Sequence, residues 1–292
     1  MQSLKVLSLV MLVVCPNAAQ AQQKVVFLRL EEFLPGESSD GDPANAWVSN
    51  LDGSNQVKIT SSRWVSHARW LNEKTVAVIS EGDIWLVPLD GRAKTRLTKG
   101  EHVRSLDCSI DGQMIFFTKG SPDIIGSLIF QMDRNGKNRR KLAETGESFM
   151  PLVAASHDSL FFIDTSNNMS RVRSFSFLDE KEEIVFQAQE EFNNIYSLAC
   201  DEKGEHIAFS LVCHEPELAV RMVIVDIENG RSSGLCRIDS GGCYGCSFIS
   251  DSELIFNDGN RLFRMKLDKK KGKYSEQKVK TSITDVLDPD VY

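Results

Sequence analysis

A short turn motif recurs along this chain at nearly regular intervals. Each copy follows an apolar run and places an aspartate or asparagine close to a glycine, as at Asp52-Gly53 and Asp90-Gly91. The turns fall at Asp52, Asp90, Asn135, near Glu180, at Asn229 and near Lys269, with spacings of 38, 45, 45, 49 and 40 residues. A period in the forties that is filled with short strands is typical of a β-propeller with one four-stranded blade per repeat. The spacing therefore predicts an all-β, six-bladed propeller of antiparallel blades.

A second repeat supports this interpretation. The segment 105–117 aligns without a gap with the segment 197–209, and each combines a short strand, a tight turn with glycine and a second strand. Glycine suits the turn position because it tolerates a positive φ. We interpret each segment as the inner hairpin of a blade.

The residues of these turns resemble a known family. Ser109-Ile110-Asp111-Gly112 is similar to the S-P-D-G turn of TolB-like (WD-like) propeller repeats, and Ile84 to Thr98, ending in Leu97-Thr98, resembles the outer half of such a repeat. The resemblance covers nearly all of the chain after residue 21, and it implies a propeller fold. It extends to the propeller part only, since TolB carries an additional α/β domain for which this chain has no room.

The register of the first blade predicts how the ring closes. Lys24 to Leu30 matches the second strand of an inner hairpin, so the first blade lacks its innermost strand. Ile283 to Tyr292 is the spare segment at the other end of the chain. Because an open ring would leave strand edges unpaired, we expect this C-terminal segment to complete the first blade.

The N-terminus has the pattern of a secretory signal. Lys5 precedes an apolar run from Leu7 to Val14, and Ala19-Gln20-Ala21 has the A-x-A form that a signal peptidase cuts. We expect residues 1–21 to be removed, which leaves residues 22–292 as a single propeller domain that is exported to the periplasm or secreted. Cys15 leaves a lipoprotein site as an alternative, although Val14 stands where a small residue is usual.

Charge and hydropathy narrow the choice of partners. The formal net charge of −7 becomes −8 without Lys5, and such a balance argues against bulk nucleic-acid binding. No later stretch reaches the apolar length that a transmembrane helix needs. We expect a monomer that binds an envelope or secreted protein or peptide.

Propellers place ligands at the mouth of the central channel, near the start of each innermost strand. The candidate residues at these positions are Trp64, His102, Arg104, Asn194, Tyr196 and Tyr244. Aromatic rings stack and arginine forks onto carboxylates, so such a mouth suits a sugar or an acidic peptide end. The alternative is that these side chains pack between blades or face water.

Acidic residues concentrate in two loops that we place on the same mouth face. They are Glu31, Glu32, Glu37, Asp40 and Asp42 in the first blade, with Glu215 and Glu217 in the fifth. Lysines and arginines occupy hairpins assigned to the opposite face. A polarised ring of this kind is suited to a basic partner, and the alternative is that the loops are charged because they are solvated.

The cysteines divide into two groups. Cys108 and Cys200 share one position of the repeat in blades that are not neighbours, so we expect two buried thiols. Cys213, Cys236, Cys243 and Cys246 fall near one another in the fifth and sixth blades, and an exported protein favours one or two disulfides among them. A zinc site is the alternative, although the paired C-x-x-C spacing is missing.

Two functions remain open from the sequence. Neither a metal-binding motif nor a phosphate loop occurs, and we expect no metal and no cofactor. The favoured hypothesis is a non-catalytic propeller that binds a protein or peptide in the cell envelope. The alternative is a glycan- or small-molecule-active enzyme, of lyase or glycosidase type, with its site at the channel mouth.

Overall fold

The computed structural model contains six four-stranded antiparallel sheets, which are the six predicted blades. It describes residues 23–31, 43–62, 64–121, 124–146, 152–166, 168–188, 194–213, 219–238, 245–258, 261–268, 273–277 and 286–291. Within these ranges no helix has the length and apolar character needed to cross a bilayer. The predicted signal peptide lies outside the described residues.

Each blade takes its strands in chain order, apart from the first. Blade 1 contains β1 (Lys24–Leu30), β2 (Ala44–Asn50) and β3 (Val57–Lys58) together with the C-terminal strand β24 (Val286–Val291). Blade 2 contains β4 (Val65–Asn72), β5 (Thr75–Ser80), β6 (Asp83–Pro88) and β7 (Thr95–Arg96). Blade 3 contains β8 (Val103–Cys108), β9 (Met114–Ser121), β10 (Ile124–Asp133) and β11 (Arg140–Thr145).

The second half of the ring repeats this order. Blade 4 contains β12 (Val153–Ala155), β13 (Ser159–Ser166), β14 (Met169–Ser176) and β15 (Glu182–Gln187). Blade 5 contains β16 (Asn194–Cys200), β17 (His206–Cys213), β18 (Ala219–Asp226) and β19 (Arg231–Ile238). Blade 6 contains β20 (Cys246–Ser250), β21 (Glu253–Asp258), β22 (Arg261–Asp268) and β23 (Lys273–Gln277).

The predicted ring closure is confirmed. β24 pairs antiparallel with β1, with Val25 opposite Val291 and Arg29 opposite Val286. A register shift between Val26 and Leu28 interrupts this ladder. The last strand of the chain therefore supplies the innermost strand of the first blade, as the missing strand in the sequence register required.

The core consists of one apolar cluster between each pair of neighbouring blades. Between blades 1 and 2, for example, Val26, Ala46, Trp70 and Val78 are buried together. Both faces of a blade are covered in this way, so successive strand residues are apolar and all of Val25 to Leu28 are buried. The apolar runs that defined the repeats are the inter-blade packing layers.

A threonine at the end of the outer strand explains the Leu-Thr pattern of the repeat. The hydroxyl oxygens of Thr60 and Thr98 accept the N–H groups of Ala46 and Ile84 at 2.9 and 2.8 Å. Thr145 accepts the N–H of Ser127 in blade 3 in the same way, at 3.2 Å. In these three blades the hydroxyl fastens the end of the outer strand to the third strand of the same blade.

Candidate functional site

The innermost strands enclose a cavity of about 440 Å³ on the axis of the ring. Residues from all six blades line it, among them Arg69, Trp70, Asp107, Cys108, Ala155, Cys200, Cys246, Phe248 and Val291. Its rim contains Ile110, Glu202 and Ser250 from the turns or strand ends where the inner hairpins reverse. This volume lies within the range of small-ligand pockets.

Asp107 joins three blades at the wall of this cavity. Its Oδ2 accepts the N–H of Ala155 in blade 4 at 2.7 Å, and its Oδ1 accepts the N–H of Cys108 at 2.8 Å. Arg69 of blade 2 lies with its Nε 3.9 Å from Oδ1 and donates through Nη1 to the carbonyl of Ala68 at 2.9 Å. The cavity thus contains a guanidinium and a carboxylate that are held in fixed positions.

The Cys200 thiol at the wall of the cavity is a poor nucleophile. Burial raises the pKa of Cys200 well above its ordinary value, and the nearby carboxylates of Asp107 and Asp201 raise that pKa further. The Sγ of Cys246 lies 3.6 Å from both the hydroxyl of Ser197 and the carbonyl of Ala208. Because the thiolate is the reactive form, the half-buried thiol of Cys200 contributes packing to the wall and little reactivity.

Five of the six residues predicted for the channel mouth are described by the structure. Trp64, directly before β4, forms a parallel bridge with Ala44 of blade 1. His102 is exposed, with a φ of 51°, and the guanidinium of Arg104 lies against Gly120 in β9. Asn194 and Tyr196 are half-buried in β16. None of these five lines the cavity described above, and Tyr244 is outside the described residues, so a site at that mouth stays a prediction.

Sequence analysis missed Arg69 and Asp107, although the repeat alignment contained a signal for both. They occupy the position that Ala199 and Ser247 hold in blades 5 and 6. Two opposite charges at a position that is small elsewhere in the repeat indicate a local interaction. The predicted site lies at the start of each inner strand, whereas this cavity opens near the end of those strands.

The acidic loops are described at one residue only. Glu31 lies at the end of β1, and its Oε1 accepts from the Nζ of Lys58 at 2.5 Å. The remaining candidates lie outside the described residues, namely Glu32, Glu37, Asp40, Asp42, Glu215 and Glu217. The acidic face stays a prediction.

The cysteines of blades 5 and 6 are partly described. Cys213 and Cys246 are not disulfide-bonded in the structure, and neither are Cys108 and Cys200. Cys236 lies in β19 opposite Met222, with its side chain outside the described part, and Cys243 is outside altogether. A disulfide in this region stays a prediction.

A histidine and two carboxylates meet at the inner turn of blade 5. Potential ligand atoms of Asp201, Glu205 and His206 all lie within 4.8 Å of one another. The buried Asp201 accepts the N–H groups of Glu205 and His206 through Oδ1, and its Oδ2 lies 2.7 Å from the Nδ1 of His206. The contacts of Asp201 are those of a turn cap, the position that Ser109 holds in blade 3.

Comparisons with known proteins agree with this architecture. A TolB structure from Acinetobacter baumannii has a TM-score of 0.71 and 18% identity, covering 93% of this chain and 67% of that chain. The fold is that of the TolB propellers. A structure from Agrobacterium tumefaciens that is assigned to TolB has a TM-score of 0.61 and 10% identity, covering 92% of this chain and 97% of that chain.

The same fold occurs outside TolB. A chain of the nidogen/laminin complex has a TM-score of 0.67 and 15% identity, covering 92% of this chain and 98% of that chain. No protein-family model and no curated protein matches the sequence. At these identities the likeness extends to the TolB-like fold, and function has to be argued from the residues of this chain.

Proposed function

We propose that the mature chain is an exported, non-catalytic propeller that binds a protein or peptide in the cell envelope. The central cavity is the observation that carries this proposal. It combines fixed charges at Arg69 and Asp107 with the aromatic rings of Trp70 and Phe248. An extended peptide end or a protruding side chain presents both apolar and polar groups, and such a wall complements both.

The hydrogen bonds already made by the charged groups of the cavity favour binding over catalysis. Both oxygens of Asp107 accept backbone N–H groups, and its neighbour Arg69 is committed to a carbonyl. A general base has to take up a proton from its substrate, which a carboxylate that fastens two blades together does poorly. Groups held in this way keep the shape of a binding surface.

Export is supported by the N-terminal pattern that ends at Ala19-Gln20-Ala21. A role in protein contact is supported by the occurrence of the fold in a chain of the nidogen/laminin complex. Loops carried by a rigid ring also provide broad contact surfaces.

Capture from an envelope extract tests the proposal with matched variants of residues 22–292. Ile110→Asp places a charge at the cavity rim, where Ile110 is 41% exposed. Leu178→Asp is the control, because Leu178 is 93% exposed and does not line the cavity. A third variant with Glu31, Glu32, Asp40 and Asp42 changed to serine tests the predicted acidic face.

We expect a protein that is captured by the native chain and by Leu178→Asp and is lost with Ile110→Asp. Loss with the acidic variant instead would move the binding surface to the predicted mouth face. Absence of any captured protein would contradict the proposal and favour the alternative of a glycan- or small-molecule-active enzyme, for which glycans would then be screened.

A further inference from the structure

Three neighbouring side chains of blade 1 each bury an N–H group that finds no acceptor in the described part of the chain. The groups are Nε of Arg29, Nδ2 of Asn45 and Nε1 of Trp47, which we call the blade 1 donor cluster. Arg29 lies directly opposite Asn45 in the β1–β2 register, and Trp47 is two residues further along β2. Opposed residues share a face of the sheet, as do residues i and i+2. All three side chains therefore extend from one face.

Contacts show that these side chains are close together and face blade 6. The Cζ of Arg29 lies 4.7 Å from the ring centroid of Trp47 and 5.7 Å from that of Phe27. Phe27 is fully buried in the cluster that contains Ile255 and Leu262 of blade 6. Asn45 is also fully buried, and a buried polar group normally has a hydrogen-bond partner.

The nearest acceptors of the same blade are already engaged. Oδ1 of Asn45 accepts the hydroxyl of Thr60 at 2.8 Å, and Oε1 of Gln56 accepts the Nη2 of Arg29 at 2.6 Å. The carboxylate of Glu31 accepts from Lys58. The cluster contains donors and a positive charge, and it requires an acceptor that the described residues do not supply.

Blade 2 shows what fills the equivalent position. The threonine bonds to Ala46 and Ile84 align the two blades, so Asn45 of blade 1 corresponds to Asp83 of blade 2. The carboxylate of Asp83 accepts from the hydroxyl of Thr98 at 3.0 Å, from two backbone N–H groups and from Arg96. Blade 2 therefore has a carboxylate at the place where blade 1 has a carboxamide.

The tryptophan of this position is shared by the two blades, but the arginine beside it comes from a different strand. Arg96 lies 5.4 Å from the ring centroid of Trp85 and belongs to the outer strand, where blade 1 has Lys58. Arg29 approaches Trp47 from β1, where blade 2 has Ser80 opposite Asp83. Blade 1 thus has an additional buried cation and lacks the acid.

We propose that the blade 1 donor cluster binds a carboxylate supplied from outside the propeller, beside the carboxamide of Asn45. The two carboxylate oxygens accept from the guanidinium, the amide and the indole N–H, and the guanidinium neutralises the charge. The group belongs either to a free small carboxylate or to the acidic side chain of a peptide. This site is separate from the central cavity and does not rest on its function.

Indole N–H signals test the proposal directly, because the chain has four tryptophans. We would titrate ¹⁵N-labelled residues 22–292 with acetate, against chloride at the same ionic strength, and in parallel with an N-acetyl-Gly-Glu-Gly-amide peptide. The signal of Trp47, assigned with Trp47→Phe, should shift and saturate. The signal of Trp85 should stay in place because its blade contains its own acid.

Asn45→Asp is the matched variant, since it places a carboxylate inside the cluster. Its Trp47 signal should lie, without any ligand, near the position that acetate produces in the native chain, and its affinity for acetate should fall by about tenfold or more. A response to acetate identifies a free carboxylate, and a response to the peptide alone identifies an acidic side chain. A native Trp47 signal that moves with neither probe would overturn the proposal, whether or not the variant folds.

Discussion

Blades 1 and 2 have the same outer strands and differ in the acid and the cations beside them. In both, a two-residue outer strand is fastened by a threonine, and an arginine lies over a tryptophan of the third strand. Blade 2 places Asp83 among the nearby donors, whereas blade 1 places Asn45 there. The backbone of the repeat is therefore retained while the polar chemistry on it changes, and the changed position is where a ligand is to be sought.

The two blades also differ in how they are completed. Blade 2 is continuous in sequence, whereas blade 1 depends on pairing between β1, near the start of the chain, and β24 at its end. Closing so long a loop costs conformational entropy, which the paired strand has to offset. Blade 1 combines a non-local strand with an unfilled donor cluster, so we expect it to be the less stable of the two blades.

The largest effect is expected from removal of residues 286–292. β24 covers the inner edge of β1 and contributes Val291 to the wall of the central cavity. The free energy of unfolding of a domain is only about 5–15 kcal/mol, and loss of a whole strand should remove most of it. The unpaired edge of β1 should then make the chain aggregate. Circular dichroism and size-exclusion chromatography would measure this result.

A circular permutant provides the control for this truncation. Moving residues 286–292 in front of residue 23 through a flexible linker keeps every strand and makes blade 1 continuous, as blade 2 is. We expect it to fold. A folded, monomeric truncation would instead show that β24 contributes little.

Exchanging the acid and the amide tests the comparison itself. Asp83→Asn should lower the free energy of unfolding by about 2–3 kcal/mol, because several buried donors lose a charged acceptor. Asn45→Asp should raise it by about 1 kcal/mol, because the new carboxylate reaches Arg29. Urea unfolding gives the free energy of unfolding of both variants. A loss of stability in both would contradict the equivalence of positions 45 and 83.

The repeat could be predicted from the sequence because the same turn motif occurs several times along the chain. Blade number, strand order and closure all followed from spacing and from the missing first strand. The site was harder, since Arg69 and Asp107 each occur once and meet only when blades 2, 3 and 4 are adjacent. The donor cluster depends on which side chains have partners, which spacing does not encode.

Acid should weaken the blade 2 side of the ring before blade 1. The hydrogen bond from Arg139 is the main cause that lowers the pKa of Glu101 to about 2, with burial opposing it and Lys119 assisting. Burial alone would raise the pKa of Asp83, but the bonds from Gly100, Arg96 and their neighbours outweigh it and lower that pKa. Both carboxylates are thus more acidic when folded. The contribution of Glu101 is present above pH 4.5 and is lost as the pH falls towards 2, and the contribution of Asp83 is also lost in acid.

Hydrogen exchange across that pH range measures the difference between the blades. The side chain of Glu101 is a quarter exposed, so solvent screens part of its interactions. We therefore expect protonation of Glu101 to lower the free energy of unfolding by about 1–2 kcal/mol. Glu101→Gln should lower the stability at pH 7 and remove most of this dependence. If hydrogen exchange in β2 of blade 1 and in β6 of blade 2 of the native chain rose equally in acid, blade 2 would not be the more acid-sensitive blade.

The smallest effect is expected at Lys94, the second cation over Trp85. Its Nζ lies 5.8 Å from the ring centroid and 3.5 Å from the hydroxyl of Ser61, and its side chain is exposed. Lys94→Met should therefore change the free energy of unfolding by less than about 0.5 kcal/mol. Arg29→Met provides the contrast, because it removes the cation of the donor cluster and should cost more in acetate than in chloride. A similar dependence on acetate in Lys94→Met would show that the anion acts on exposed cations in general.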